Sequence, residues 1–261
     1  MLYPRAILRL TRLQTSLLGF AAIFIPLFAR SRDLRGSLGR AIPLLFVCVC
    51  TFIANDVDDI ERDRVNHPER PLPSGELSAA IAGIMYFTSL ALALFSTRHY
   101  VTQRISFWYY GLIAISISYR YVVECFPSVK APYVAAVSSV PILIVVAWYP
   151  AETRLYFLAG SVFLVSLGRE ICMDITDRAG DFVSFMHRFQ SKPLAVVAVC
   201  IEAMGLLLLF VQVRRPRDVA LVLGTMGCLA LAAVYWFRFA RYTTAELLMK
   251  LQLVIGLYFL L

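Results

Sequence analysis

Apolar runs about twenty residues long, divided by short polar punctuation, fill nearly the whole chain. They fall at 13–29, 41–60, 77–97, 105–123, 131–149, 155–173, 193–213, 218–237 and 243–261. Crossing the hydrocarbon takes roughly 20 mainly apolar residues in a helix. The pattern therefore predicts an all-α, polytopic membrane protein with about nine spans. The fourth run, "SFWYYGLIAISISYRYVV", is short and polar-interrupted. The opening stretch, "MLYPRAILRLTRLQTSLLGFAAIFIPLFA", has the basic start of a secretory signal. Its apolar run is long for a signal core and has no clear small-x-small cleavage site, so a retained first helix is expected.

Composition agrees with the pattern. Of 261 residues, 60% are hydrophobic and 16% charged, too little polar surface for a soluble domain of this length. No Pro/Gly/Ser-rich linker or hydropathy break divides the chain, and 1–261 reads as a single domain. The formal charge of +8 comes from short arginine clusters between apolar runs. That is membrane-flanking charge rather than a nucleic-acid face, so no nucleic-acid partner is expected. The six cysteines lie mostly within apolar segments without a CxxC, and the chain has only three histidines. They read as small buried groups, with neither a disulfide framework nor a zinc site indicated.

Two polar stretches break the apolar rhythm with negative charge. "NDVDDIERD" (55–63) follows the second run and "DITDRAGD" (174–181) follows the sixth. An even number of crossings separates them, which puts both on one side of the membrane. Loops on that side carry slightly more Lys and Arg, so a cytoplasmic acidic face is expected. Asp56, Asp59 and Asp63 have spacing i, i+3, i+7, and Asp174, Asp177 and Asp181 repeat it. At about 100° per residue each trio lines one face of a helix. Carboxylates at membrane depth are costly and mark function, and a matching pair of ladders is hard to attribute to solvated helix ends.

Oxygen ligands without His or Cys suit a hard cation. Magnesium characteristically binds a few carboxylates plus substrate phosphates. Two such faces could clamp a diphosphate between metal ions. Arg62, Arg64 and Arg70 accompany the first ladder. Arg169, Arg178, Arg188 and Lys192 accompany the second, and Lys130 lies in a loop on the same side. Cations among acidic ligands fit an anion held by both, although each arginine taken singly also fits a membrane-edge charge.

At these residues the chain resembles the UbiA superfamily of intramembrane prenyltransferases. "NDVDDIERDRVNHPERPLPSGELS" is similar to the NDxxDxxxD signature with its RPLxxG-like turn, and "REICMDITDRAGD" to DxxDxxGD. The resemblance implies a helical bundle around a central cavity open to lipid, with both motifs at its cytoplasmic mouth. By motif position, Asn55, Asp56, Asp59 and Asp63 would bind magnesium and diphosphate, as would Asp174, Asp177 and Asp181. Arg62, Arg70, Lys130, Arg178 and Lys192 are candidate diphosphate-binding groups. Asp58 falls at a variable position. Two departures affect the acceptor side. Phe126 stands where a Tyr-x-x-x-Lys element has tyrosine, with Lys130 in register, and only Pro193 survives from a TLPxxxG-like stretch.

Such a site ionises an allylic diphosphate, and the cation must then be shielded from water. Trp108, Tyr109, Tyr119 and Tyr121 are candidate cavity aromatics for cation–π shielding, although Trp and Tyr also populate membrane interfaces. The expected activity is magnesium-dependent transfer of a prenyl group from its diphosphate to a lipophilic or aromatic acceptor. Cyclisation without an acceptor, as in UbiA-type terpene cyclases, is the alternative. A cation transporter would place its carboxylates near the membrane midplane rather than at span ends.

Overall fold

The structure is a computed structural model that describes residues 4–176, 191–214, 216–239 and 248. Regular structure among these is helical throughout. The order is α1 (Pro4–Leu10), α2 (Leu13–Ser31), α3 (Leu34–Asp58), α4 (Ile60–Asn66), α5 (Ala79–Tyr100), α6 (Gln103–Cys125), α7 (Lys130–Trp148), α8 (Thr153–Thr176), α9 (Ser191–Leu208) and α10 (Pro216–Phe239). Short 3₁₀ turns, Pro127–Val129 and Leu209–Gln212, precede α7 and follow α9.

Six described helices are long and apolar enough to cross a membrane: α2, α3, α5, α7 with its preceding turn, α8 and α10. The expected count of about nine is thus six among the described residues. The expected fourth run does form a continuous helix, α6, but Ser106, Ser116, Ser118 and Arg120 interrupt its apolar character. The seventh run ends early, because α9 is apolar only over Pro193–Leu208 before the chain tightens into its 3₁₀ turn. The ninth run, 243–261, lies outside the described residues except for Leu248.

The chain divides into two compact units, the first running to Cys125 and the second starting at Phe126. In the first, α3 packs against α2, α5 and α6. Its start is capped by Asp33, whose carboxylate accepts from the Gly36 amide, and α5 is capped likewise by Ser78 and the Ile81 amide. Near the acidic end of α3, Ala6 and Leu10 of α1 pack with Ile53, Leu72, Leu77 and Ala82. This cluster fixes α1 and the loop after α4 together. Tyr109 of α6 is fully buried and its hydroxyl donates to the Arg40 carbonyl at 2.5 Å. A buried phenol needs such a partner.

The second unit is organised around α8, which packs on α7 and α9. Its core joins Ala131, Ile171, Cys172, Ala198 and Ala232. Two glycines permit the close crossing of α8 and α9. A Cβ at Gly168 would collide with Glu202 Cγ and stand 2.6 Å from the Ala198 carbonyl oxygen. One at Gly205 would stand 2.9 Å from Leu164 Cβ and 3.0 Å from the Val165 amide nitrogen. Small residues at membrane helix crossings let backbones approach in this way. The cysteines differ from expectation in part. All six are free, and Cys50 and Cys172 are buried, but Cys125 and Cys200 are exposed.

Gly168→Ala and Gly205→Ala should each destabilise the protein by about 1–3 kcal/mol, the usual cost of overpacking. Gly111→Ala should change little, because nothing lies within 4 Å of its added Cβ. Thermal unfolding of detergent-solubilised protein compares the three, and equal melting temperatures would refute the close crossing.

Candidate active site

The first acidic motif sits where α3 stops. Asp59 interrupts the helix at φ −94° and ψ 5°, and α4 starts at the next residue. The hydrogen-bond ladder nevertheless runs through the break. The Asp59 amide donates to the Asn55 carbonyl at 2.9 Å, and the Asp63 amide to the Asp59 carbonyl at 2.7 Å. The three aspartates therefore keep roughly helical offsets in two helices rather than one.

Their environments differ. Asp56 and Asp63 are only 3% and 4% exposed. Both turn toward Arg70, whose guanidinium lies 2.7 Å from Asp63 and 3.9 Å from Asp56. Asp59 is more open; it accepts from Asn55 Nδ2 at 3.1 Å and pairs with Arg62 at 2.6 Å. Asp58 points elsewhere, to Arg120 of α6 at 2.9 Å, which matches its place outside the motif.

Arg12, which sequence reasoning missed, completes this group. It lies 2.6 Å from Asp56 and its guanidinium stands 5.1 Å from the centre of the Phe52 ring. It occupies the corner between α1 and α2 in a left-handed conformation, φ 42°, that non-glycine residues seldom adopt. Ser16 and Thr11 brace the corner, the Ser16 amide donating to the Arg12 carbonyl and its hydroxyl to the Thr11 carbonyl. In the sequence Arg12 is indistinguishable from Arg5 or Arg9, because only the turn selects it.

Arg70 is held by its loop. The Arg70 amide donates to the His67 carbonyl, the Ser74 amide to the Arg70 carbonyl, and the Leu77 amide to the Pro71 carbonyl. Gly75 takes φ 78° to close the turn, a conformation that favours glycine. Arg9 of α1 straps the loop from outside by bonding the Glu69 carbonyl and the Glu76 carboxylate. The "RPLPSG" segment thus serves to aim one arginine.

In the second unit, Asp174 on α8 is 3% exposed and pairs with Lys130 at 2.6 Å. Lys130 is the first residue of α7 rather than a loop residue. Glu170, one turn before Asp174, pairs with Arg169 at 2.6 Å. Asp177, Arg178 and Asp181 lie outside the described residues. Lys192 belongs to the first turn of α9, without a described side chain.

The candidate aromatics do not behave alike. Tyr109 has no exposed surface and its hydroxyl is engaged, so it is a packing residue of the first unit rather than part of an open wall. Trp108 and Tyr121 are exposed, Tyr121 at 73%, and Tyr119 is half-buried. Phe126 is exposed and begins the turn that leads to Lys130.

Among the described residues no three acidic, His or Cys side chains gather at metal-ligand spacing. Asp56 and Asp63 nevertheless converge on a single cation, Arg70. Two hard oxygen donors at one point, with further positions left for phosphate oxygens, fit magnesium's usual mode of binding. Burial holds the Asp63 carboxyl above its ordinary pKa, opposed by Arg70 and assisted by the nearby charge of Asp56. A carboxyl raised in the folded state contributes stability at acid pH that is lost as pH rises through its folded value.

Arg70→Met should therefore destabilise the metal-free protein at neutral pH by about 1–3 kcal/mol, since it leaves a buried carboxylate short of a hydrogen-bond donor. Acidification should recover part of the loss by protonating Asp63. Melting temperatures across a pH series check this; a deficit that stays constant with pH would exclude Arg70 as the compensating charge.

The UbiA prenyltransferase family model matches residues 33–255. Digeranylgeranylglyceryl phosphate synthase of Thermococcus kodakarensis is 29% identical over 197 residues, 69% of this chain and 65% of the relative. The match therefore spans just under two thirds of that relative's length. A UbiA homologue from Aeropyrum pernix K1 superposes with a TM-score of 0.77 at 17% identity, covering 94% of this chain and 96% of that one. A second, from Archaeoglobus fulgidus and bound to GPP and Mg2+, gives 0.66 at 15% identity over 98% and 99% of the two chains. With both acidic signatures inside the matched region, the chain belongs to the UbiA prenyltransferase family.

Proposed function

We propose that this protein ionises a prenyl diphosphate at its acidic motifs, with magnesium, and transfers the prenyl group to a lipophilic acceptor. The observation that carries the reading is the pairing of each first-motif aspartate with an arginine: Asp56 with Arg12, Asp59 with Arg62 and Asp63 with Arg70. Such a mixed set holds an anion through both cations and metal-binding carboxylates. The magnesium-bound Archaeoglobus homologue and the lipid-forming names of the relatives support the same substrate class.

Asp56, Asp59 and Asp63 of the first motif, and Asp174, Asp177 and Asp181 of the second, would hold magnesium. The chemistry supplied by the bound metal is neutralisation of the charge that grows on the diphosphate as its bond to the prenyl carbon breaks. Arg12, Arg62, Arg70 and Lys130 turn from their carboxylates to the phosphate oxygens; Asn55, Arg178 and Lys192 complete the anion-binding set. Trp108, Tyr119 and Tyr121 shield the allylic cation, and the acceptor supplies the electron pair that closes the new bond. The family match over residues 33–255 supports 1–261 acting as a single domain. The protein is a multi-pass membrane protein with the acidic helix ends on the cytoplasmic side.

Cyclisation without an acceptor is the second reading. It is favoured by one observation, Phe126, which brings no hydroxyl to the turn before Lys130. Incubating purified protein with magnesium and prenyl diphosphates, with and without a prenylated glycerol phosphate, separates the two. Consumption only when acceptor is present supports transfer; a cyclic hydrocarbon or terpene alcohol without acceptor supports cyclisation.

Asp59→Ala and Asp177→Ala should each reduce turnover by at least about 100-fold while the protein remains folded in detergent. Full activity in both variants would remove the metal-clamp assignment.

A further inference from the structure

The first unit has two ends of opposite character. At one end of α3 lie the acidic motif and arginines that each reach a carboxylate: Arg12, Arg62, Arg64, Arg70 and Arg120. At the other end, the α2–α3 corner (30–40) and the α5–α6 corner (95–105) together carry six arginines and one aspartate. Arg35 and Asp56 stand about 30 Å apart along α3, the thickness of the hydrocarbon, so these corners belong to the headgroup layer of the opposite leaflet.

Packing holds the two corners together. A Cβ on Gly39 of α3 would stand 2.8 Å from Cδ1 of Tyr100, so α5 ends directly against the start of α3. The Tyr109 hydroxyl, donating to the Arg40 carbonyl, ties the first half of α6 to the same place. Arg32, Arg35, Arg98 and Arg104 are exposed there, and none of the four pairs with a carboxylate among the described residues. The single acid, Asp33, is already engaged as the cap of α3 through the Gly36 amide at 3.0 Å. Helix stability does not account for the charges either. Arg35 and Arg104 occupy the first turns of α3 and α6, where the helix dipole disfavours a cation. The exposed rings of Phe95, Tyr100 and Phe107 flank them, and tyrosine at this level is typical of the lipid–water interface.

We propose that this end of the first unit is a binding surface for anionic phospholipids, whose phosphates supply the counter-charge that the chain withholds. Crowded like charges repel one another until anions from outside compensate them. Guanidinium groups suit that exchange, since each presents several donors to phosphate oxygens. A zwitterionic lipid offers the same phosphate with a cation attached, which the cluster repels, so the surface selects headgroups of net negative charge. None of these residues belongs to the acidic motifs, and the inference stands whatever reaction those motifs perform.

Native mass spectrometry of the detergent-solubilised protein in an equimolar mixture of phosphatidylglycerol and phosphatidylcholine is the test. Wild-type protein should retain phosphatidylglycerol with at least about tenfold preference, given about fivefold for each arginine near an anionic surface. Arg35→Gln/Arg98→Gln/Arg104→Gln should reduce the preference below about twofold, whereas Arg35→Lys/Arg98→Lys/Arg104→Lys should keep most of it, because the charge is what the headgroup reads. Arg64→Gln, at the acidic end, should leave it unchanged. Equal retention of the two lipids by wild type overturns the proposal. So does wild-type preference in the glutamine variant, or a glutamine-like loss in the lysine variant or in Arg64→Gln. Phosphatidylglycerol should also raise the melting temperature more than inorganic phosphate at the same concentration; an equal rise identifies a free-anion site and overturns the lipid assignment. If the triple glutamine variant does not fold, Arg35→Gln, Arg98→Gln and Arg104→Gln decide singly. Each should reduce the preference about two- to fivefold, and wild-type preference in all three overturns the proposal.

Discussion

The structure turns on the cost of keeping carboxylates nearly buried at the ends of apolar helices. Asp56, Asp63 and Asp174 have almost no exposed surface. A carboxylate in that position either loses its proton-free form or acquires a counter-charge. Here the counter-charge is built in: Arg12 and Arg70 in the first unit, Lys130 in the second. Much of the irregular backbone around the first motif exists to deliver those cations.

Delivery is achieved by packing. The α1 helix is only seven residues long and could not persist alone. Ala6 and Leu10 anchor it against Ile53 and the loop residues Leu72 and Leu77. That contact sets the corner where Arg12 takes its left-handed conformation and the loop from which Arg70 reaches back. Hydrophobic burial thereby fixes the positions of charges that would otherwise be free to choose other partners. The second unit uses a different device, the glycine-lined crossing of α8 and α9, to bring Glu202 against the helix that carries Asp174.

The same pairings account for how these buried acidic groups are kept charged. Paired with arginine and lysine, the acidic groups are electrostatically satisfied, and the same cations are the natural partners of a phosphate anion. Asp58 is the instructive contrast. It is as acidic as its neighbours, yet it is exposed and engaged by Arg120 and Glu124's shared network on α6, where it ties two helices together.

The apolar rhythm of the sequence determined the all-helical, membrane-type architecture, since length and hydropathy alone decide which segments can bury a satisfied backbone in lipid. The first acidic motif was legible as well, because its spacing is a local property of the chain, and so was Arg70 within its turn motif. The span count was less secure: α6 and α9 carry polar interruptions or early endings whose consequences depend on neighbouring helices. The pairing of Arg12, the burial of Glu202 and the withdrawal of Tyr109 into the core were decided only by tertiary structure. Arg12 meets Asp56 across 44 residues of chain, and Glu202 meets α8 only because Gly168 leaves room. Sequence spacing reports what one helix face can present, whereas the partner of a buried charge is fixed by which other helix packing places against it.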